Sequence, residues 1–174
     1  MRTRSEQKHQ DILDAAAAAF GEHGFGATSV DAIADRAGVS KRTIYSHFGG
    51  KDALFVAVAS HAIARADAAV ASPFEPGVPV RPQLEALLHR ELVMLAHPDF
   101  AGLARALVAE SFRAPELARA ALQRADHGDS AVARWIREAD AAGALDVPDV
   151  RIAASQLLAL VKGAAFWPQI LGAA

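Results

Sequence analysis

The chain has 174 residues, no cysteine and a formal net charge of −2, with 18 Lys and Arg against 20 Asp and Glu. The lack of cysteine excludes disulfides and thiol catalysis, and the slightly acidic balance argues against a protein that binds any duplex through broadly spread positive charge. The N-terminus has no signal-peptide core, and no apolar run approaches the roughly 18 to 20 residues that span a bilayer, so we expect a cytoplasmic protein without a membrane partner.

Composition also predicts the fold class. Hydrophobic residues make up 52% of the chain, and alanine supplies much of that fraction. No alternating strand pattern bounded by hairpin turns is present, and alanine favours helix, so we predict an all-α fold.

The first predicted helix ends at Gly24, which an apolar residue follows, as is common where helices stop. Its apolar face consists of Ile12, Leu13, Ala16 and Phe20. Arg2, Arg4 and Lys8 precede this face. We expect that basic terminus to be disordered, the alternative being an arm that touches phosphates or a minor groove.

Two short helices joined by a tight turn are predicted next. Thr28 followed three residues later by Asp31 is close to a capping box, which predicts a helix start at Thr28. Gly38 predicts the end of that helix, and Ser40 can cap a third helix that runs from Lys41 to about His47. The arrangement is typical of a helix-turn-helix.

The third helix is predicted to have two unlike faces. Ile44 and Phe48 point into the domain at 100° per residue, whereas Arg42 and Ser46 point away from it, with Thr43 and Tyr45 on the flanks. No acidic residue lies between Asp35 and Asp52. The cationic residues between them are Arg36, Lys41, Arg42 and Lys51. This local concentration of positive charge suits a phosphate backbone.

These residues resemble, in order and spacing, the DNA-binding domain of the TetR family of transcriptional repressors. The resemblance covers roughly residues 8 to 55. It is carried by Thr28, Ile33-Ala34, Ala37-Gly38-Val39-Ser40, Thr43-Ile44-Tyr45, His47-Phe48, and Lys51 followed by Leu54.

The resemblance implies a role for each matching residue at double-stranded operator DNA. Lys41 and Arg42 match positions that reach base edges in the major groove, where Arg is well shaped to bind guanine. Ser46 shares their exposed face. The positions implied to hold phosphates are Thr28, Ser40, Thr43, Tyr45, His47 and Lys51. Three alternatives remain: Tyr45 as a half-buried core ring, His47 as a packing residue against Phe48, and Lys41 as a solvated charge.

After Gly49-Gly50 the sequence predicts a larger helical domain. We therefore divide the chain into a helix-turn-helix DNA-binding domain at 1–50 and a helical regulatory domain, for ligand binding and dimerisation, at 51–174. A connecting helix opens at Lys51 and Asp52, and a loop spans Ser72 to Pro82. Prolines are expected at four helix starts, namely Pro82, Pro98, Pro115 and Pro148. A bend is expected near Gly128, and Gly143 is expected to end the helix that begins at Ala131.

The last part of the chain is the predicted dimer interface. The segment from 148 to 163 is predicted to be a helix that is apolar on more than one side. A helix-turn-helix protein that reads two half-sites needs two copies of the chain. The resemblance implies a homodimer through residues 148–174, with a final helix starting at Gly163 and continuing beyond Ala174. Trp167-Pro168 is expected to be a break. The alternative is that the stretch completes the monomer core.

The resemblance also implies a small-molecule inducer pocket in the regulatory domain. Candidates are residues of mixed polarity on otherwise apolar faces, although each could be an ordinary core or surface residue. They are His61, Arg65, His89, Met94, Phe112, His127, Trp135 and Phe166. The composition favours an apolar or amphipathic ligand over a phosphate, and we predict no cofactor and no metal.

An enzyme is the main rival class. The sequence has no Gly-rich phosphate loop, no HExxH and no nucleophile elbow, and the pairs His97/Asp99 and His127/Asp129 lack a third ligand at a defined spacing. We therefore predict a non-enzymatic, sequence-specific transcriptional regulator, a repressor released from its operator by a small molecule. The alternatives are a helical small-molecule-binding protein and a duplex-binding protein without operator specificity.

Overall fold

The computed structural model describes residues 3–123 and 130–172, and every regular element in those ranges is helical. The predicted all-α fold is confirmed. Residues 127 and 128, the sites of one ligand candidate and of the expected bend, lie outside the described residues. The helices are α1 (Arg4–Ala27), α2 (Val30–Ala37), α3 (Lys41–Phe48), α4 (Lys51–Val70), α5 (Val80–Leu95), α6 (Pro98–Arg113), α7 (Pro115–Leu122), α8 (Ala131–Ala141), α9 (Val150–Val161) and α10 (Trp167–Ile170), with a π-helical segment at Lys162–Phe166.

Two compact units are formed by these helices. The first comprises residues 1–63 and 98–124, and the second comprises residues 64–97 and 125–174. These units are defined by contacts between residues and do not show which residues bind DNA or a ligand. The functional division at residue 50 therefore stays a prediction.

The first unit is built around a core to which α1, α2, α3, α4 and α6 all contribute. The predicted apolar face of α1 is buried there, and the Phe20 and Phe55 rings meet edge to face with centroids 5.2 Å apart. The largest fully buried side chains of this core are Ile12, Phe20, Ile33, Ile44, Leu54, Phe55 and Val58. The two short helices of the helix-turn-helix are thus held on a scaffold of longer ones.

Two glycines allow α1 and α6 to cross closely within this unit. A Cβ atom on Gly102 would lie 3.1 Å from the carbonyl oxygen and 3.2 Å from the Cα of Gly21, which is tighter than ordinary van der Waals contact. Backbone atoms of a packed helix cannot move aside as a side chain can. A side chain at position 102 would therefore require the backbone of α1 or α6 to shift by a few tenths of an ångström.

The second unit has its own core, centred on Trp135 of α8. Its ring meets Phe74 edge to face at 5.5 Å. The Asp67 carboxylate accepts hydrogen bonds from the Ala131 N–H and from the Arg134 guanidinium, which joins α4 to the start of α8. Glu91 of α5 is only 7% exposed, and burial raises the pKa of its carboxyl group.

Three predicted helix starts were misplaced. The terminus is helical from Arg4, because Thr3 and Glu6 form a reciprocal capping box, so the expected disorder is wrong for residues 4 to 8. Pro82 is the third residue of α5 and not the first, a position where its missing N–H is still not needed. Asp149 follows Pro148 and caps α9 through the Ile152 N–H.

The expected break at Trp167-Pro168 is also wrong, as is the expected start of a separate final helix at Gly163. Residues 150 to 170 form one helical run, because the π-helical segment accommodates the proline. The Trp167 N–H donates to the carbonyl of Lys162, five residues back, and Pro168 follows within the first turn of α10.

Two helical runs are long and apolar enough, by length and composition alone, to cross a membrane. They are Lys51–Val70 and Val150–Ile170, and α5 with α6 would qualify only if counted as one bent span. The expectation that no run approaches that length is therefore wrong. Alanine keeps both runs apolar although charged residues interrupt them. In α4, Leu54, Phe55 and Val58 belong to the core of the first unit.

Gly102→Ala is expected to lower the free energy of unfolding by about 1 to 3 kcal/mol, because the added methyl overpacks the crossing of α1 and α6. Gly163→Ala is the control, since a Cβ there meets nothing within 4 Å. The control is expected to be neutral or more stable by up to about 1 kcal/mol. Urea unfolding followed by circular dichroism measures both, and a Gly102→Ala protein of unchanged stability would contradict the close crossing.

Candidate DNA-binding site

The start of α2 differs from the predicted one by one residue. The hydroxyl of Ser29, not that of Thr28, accepts the Ala32 N–H at 3.0 Å and caps the helix. Thr28 is only 3% exposed, and its hydroxyl lies 3.1 Å from the carbonyl oxygen of Ala19 and 2.7 Å from that of Gly24. The predicted capping role of Thr28 is wrong, because this buried hydroxyl donates back to α1.

The turn between α2 and α3 is as the sequence predicted. Gly38 adopts φ 63°, a left-handed conformation that favours glycine, and its N–H donates to Asp35. The Val39 N–H donates to the carbonyl of Ala34 at 3.0 Å. Ser40 then caps α3 by accepting the Thr43 N–H at 3.1 Å. These contacts fix how α3 leaves the turn.

The two predicted faces of α3 are confirmed. Ile44 is fully buried, whereas Lys41, Arg42 and Ser46 are exposed and Thr43 is half-buried. The Ser46 hydroxyl donates to the Thr43 carbonyl at 2.8 Å. Tyr45 is 46% exposed and is not among the side chains that form or pack against the core of the first unit. The helix therefore presents a polar surface whose position is set by a buried apolar one.

Three contacts of aromatic rings border this surface. His9 of α1 stacks on Phe48 with ring centroids 4.6 Å apart and lies 5.8 Å from the ring of His47. His47 is half-buried in this cluster. Lys51 places its ammonium nitrogen 4.3 Å from the centroid of Phe25. The sequence did not single out His9, because its contact with α3 joins distant parts of the chain.

Two of the four cationic side chains between Asp35 and Asp52 form ion pairs. Arg36 binds Glu22 of α1 through two hydrogen bonds of 2.8 and 2.6 Å, and this contact lowers the pKa of the Glu22 carboxyl group. The Lys41 ammonium lies 2.9 Å from Asp31 of α2, and the hydrogen bond to that carboxylate raises the pKa of Lys41. Fewer positive side chains are therefore available to bind DNA phosphates than the count along the sequence suggests.

Arg42 differs from Arg36 and Lys41 in having no acidic partner among the described residues. Within residues 3–123 and 130–172 no hydrogen bond or ion pair engages its guanidinium, and its side chain is exposed. Arg42 also lies in the first helical turn of α3, close to the connection between α2 and α3. It is the side chain of α3 with the most open hydrogen-bonding capacity for an external acceptor.

The predicted ligand residues do not converge on one cavity. His61 lies in the first unit, where its ring nitrogen is 3.0 Å from the Gln10 amide. Phe112 is 83% exposed and His89 is also exposed. Arg65, Met94, Trp135 and Phe166 belong to the second unit, Arg65 exposed, Met94 half-buried and the two aromatic rings buried. A ligand role for these residues stays a prediction.

A cavity of about 300 Å³ does lie in the second unit, and of the predicted candidates it includes Trp135. Its walls are apolar apart from one amide side chain. They are formed by Leu84, Trp135, Ile136, Leu145, Val147, Ala153, Gln156, Leu157 and Leu160.

The fold defines a helix-turn-helix protein with a helical C-terminal part, and comparisons with known proteins agree. Residues 12–58 match the family model for bacterial regulatory proteins of the tetR family, and residues 82–174 match the model for the C-terminal domain of AefR-like transcriptional repressors. The transcriptional regulator UidR of Escherichia coli K12 is 30% identical over 162 residues, which are 92% of this chain and 80% of UidR.

Solved structures give the same result. A TetR family regulator from Pseudomonas syringae is 39% identical with a TM-score of 0.72, covering 97% of this chain and 84% of its own. The flavonoid-responsive regulator FrrA is 31% identical with a TM-score of 0.75, covering 97% and 86%. The chain belongs to the TetR family, and it is a DNA-binding transcriptional regulator.

Substitutions on the buried and the exposed face of α3 should have different effects on the stability of the protein. Ile44→Ala is expected to lower the free energy of unfolding by about 2 to 5 kcal/mol, since it empties a fully buried site. Tyr45→Ala, its exposed neighbour, is expected to change that free energy by only about 0.5 kcal/mol. Urea unfolding of both variants would contradict the observed orientation of α3 if Tyr45→Ala proved the more destabilising.

Proposed function

We propose that this regulator is a repressor that binds a symmetric operator as a homodimer and leaves it when a small molecule binds the second unit. The observation that carries the DNA-binding part is the orientation of α3, with Ile44 buried and Arg42 exposed on the opposite side. A helix held in this way can enter a major groove without giving up its packing.

The proposed DNA contacts follow from the exposed side of the helix-turn-helix. Lys41 and Arg42 reach base edges, and Ser46 lies beside them on the same face. The proposed phosphate contacts are Ser40, Thr43, Tyr45, His47 and Lys51, helped by the N-termini of α2 and α3. Thr28 is left out of this set, because its side chain is buried and its hydroxyl is already used.

Repression is favoured over activation by the C-terminal match. The family model that covers residues 82–174 describes a repressor domain. The activator FasR of Mycolicibacterium smegmatis is 42% identical, but over only 57 residues, 33% of this chain. DNA-binding regions are shared by regulators of both signs, so the longer C-terminal match is the better guide. A repressor of bacterial genes acts in the cytoplasm, where its operator is.

The proposed inducer is an apolar or amphipathic small molecule. FrrA is described as flavonoid-responsive, and the similarity between FrrA and this chain extends over both units. The cavity beside Trp135 has apolar walls, which suit the same kind of ligand. A ligand that prefers a conformation in which the two DNA-reading helices of the dimer no longer match the operator would weaken DNA binding by that preference, typically about 1 to 3 kcal/mol.

The proposed dimer interface is the outer side of α9 and α10. Large apolar side chains are exposed there, with Leu160 73% exposed. The others are Ile152, Trp167 and Leu171. A two-fold interface would place this surface against its own copy and remove the apolar side chains from water.

Substitution of Arg42 should separate base reading from phosphate binding. Arg42→Ala is expected to weaken operator binding by about 1 to 3 kcal/mol and to relax the preference at one base position, because a base contact is lost. Lys51→Ala is expected to weaken all duplexes alike and to flatten the salt dependence, because a phosphate contact is lost. Anisotropy titrations across salt test both. Identical behaviour of the two variants would favour a duplex-binding protein without operator specificity.

The mass in solution tests the proposed dimer. Sedimentation should give a concentration-dependent mass near twice 18.3 kDa. Leu160→Glu should shift it toward the monomer, because it places a charge in the apolar surface. Arg151→Glu is the control, an exposed site on α9 that lies roughly 180° around the helix from Leu160 and roughly 100° from Ile152 at 3.6 residues per turn. Tight binding of a palindrome by a monomeric wild type would refute the dimer.

A further inference from the structure

We propose that Asp31 limits DNA binding by acting through Lys41. By holding the Lys41 ammonium in an ion pair, Asp31 lowers the affinity for every duplex by a similar factor, so that only a duplex with additional base contacts stays bound. The inference rests on the proposed function of α3 as the DNA-reading helix, and it assigns to an acidic residue of the preceding helix the control of how freely α3 binds phosphate.

The geometry of the pair places it at the working end of α3. Lys41 is the first residue of that helix, and Asp31 lies in the first turn of α2, with the Lys41 nitrogen 2.9 Å from a carboxylate oxygen of Asp31. Ser29 and Ser40 cap the two helices, so both helix N-termini lie near the pair. The N-terminus of α2 carries partial positive charge, which favours an acidic side chain in the first turn of that helix.

The pair holds Lys41 beside Asp31 but is exposed enough to be exchanged. At least half of each side chain is open to solvent. Exposed ion pairs are weak and are screened by salt, so a DNA phosphate can replace Asp31 as the partner of Lys41. The exchange leaves Asp31 unpaired close to the DNA, where its charge opposes the phosphates.

This exchange weakens binding to every duplex, but the operator and other duplexes start from different affinities. On any duplex, Lys41 gains a phosphate or a base edge only by losing Asp31, so its contribution to general binding is reduced. On the operator, the Arg42 guanidinium, which has no acidic partner within the described residues, adds base contacts that other duplexes do not offer. A fixed unfavourable contribution from Asp31 therefore leaves the operator bound while releasing other sites.

The control residue is supplied by the same helix. Asp35 lies one turn after Asp31 on α2, is exposed, and its side chain has no hydrogen-bond or ion-pair partner anywhere in the described ranges. Removing the charge of Asp35 raises the net charge of the protein by the same amount without releasing Lys41. A comparison of the two sites separates the ion pair from the general effect of charge.

The experiment is an anisotropy titration of the full chain against two duplexes across a range of salt. One duplex has a random sequence, and the other is selected from a random pool by repeated binding to the wild type. Asp31→Asn should bind the random duplex about ten-fold more tightly at low salt and steepen the slope of log K against log salt by about 0.9, one phosphate contact. Its gain on the selected duplex should be of similar size, so that the ratio of the two affinities stays as in the wild type.

Four further variants make the result specific to the pair. Asp35→Asn should change binding to the random duplex less than two-fold, and Asp31→Glu should restore wild-type behaviour. Asp31→Asn/Lys41→Gln should bind less than two-fold more tightly than Lys41→Gln alone, because no ammonium is left to release. An equal gain in Asp35→Asn, or a full gain of the double variant over Lys41→Gln, would show a general charge effect and overturn the inference.

The outcomes also separate this inference from the proposed function. A wild type that binds the selected duplex no more tightly than the random one would refute operator recognition itself. A wild type that discriminates, with an Asp31→Asn variant that binds and responds to salt as the wild type does, would refute only the role of Asp31. Circular dichroism checks folding. Should Asp31→Asn not fold, Asp31→Ser must show the same gain for the inference to stand.

Discussion

The burial of Ile44 is the contact on which the DNA-binding site depends. This side chain is fully buried in a core shared by α1, α2, α4 and α6, and it is the residue of the eight-residue α3 that is completely removed from solvent. A helix of two turns is not stable alone in water, so packing must supply its stability. Because Ile44 sets the rotation of α3, it also determines that Arg42 and Ser46 face outward.

Local signals in the sequence were sufficient to predict this helix-turn-helix. Gly38 in a left-handed conformation, the Ser40 cap and the spacing of Ile44 and Phe48 each depend on a few neighbouring residues, and all are present in the structure. Contacts between distant residues were not predicted. Glu22 reaches Arg36 across 14 positions, and Asp31 reaches Lys41 across 10, so counting charges along the chain overstated the uncommitted positive charge.

The regulatory part was less predictable, for a physical reason. Its apolar residues could be assigned to helices, but alanine-rich helices are apolar on several sides and do not reveal which side meets a ligand, a second copy or the core. The predicted ligand residues are accordingly divided between the two units. Likewise, a proline in a helical pattern predicts a break, whereas the π-helical segment at 162–166 absorbs Pro168 within one run.

The most direct test of operator reading by α3 is a footprint on the promoter fragment beside the protein's own gene, with and without candidate small molecules. A dimer that reads with α3 should protect two symmetric half-sites whose centres lie about one DNA turn, or a multiple of it, apart, and an inducer should remove the protection. If the protein protects no promoter fragment even at low ionic strength, α3 does not read DNA.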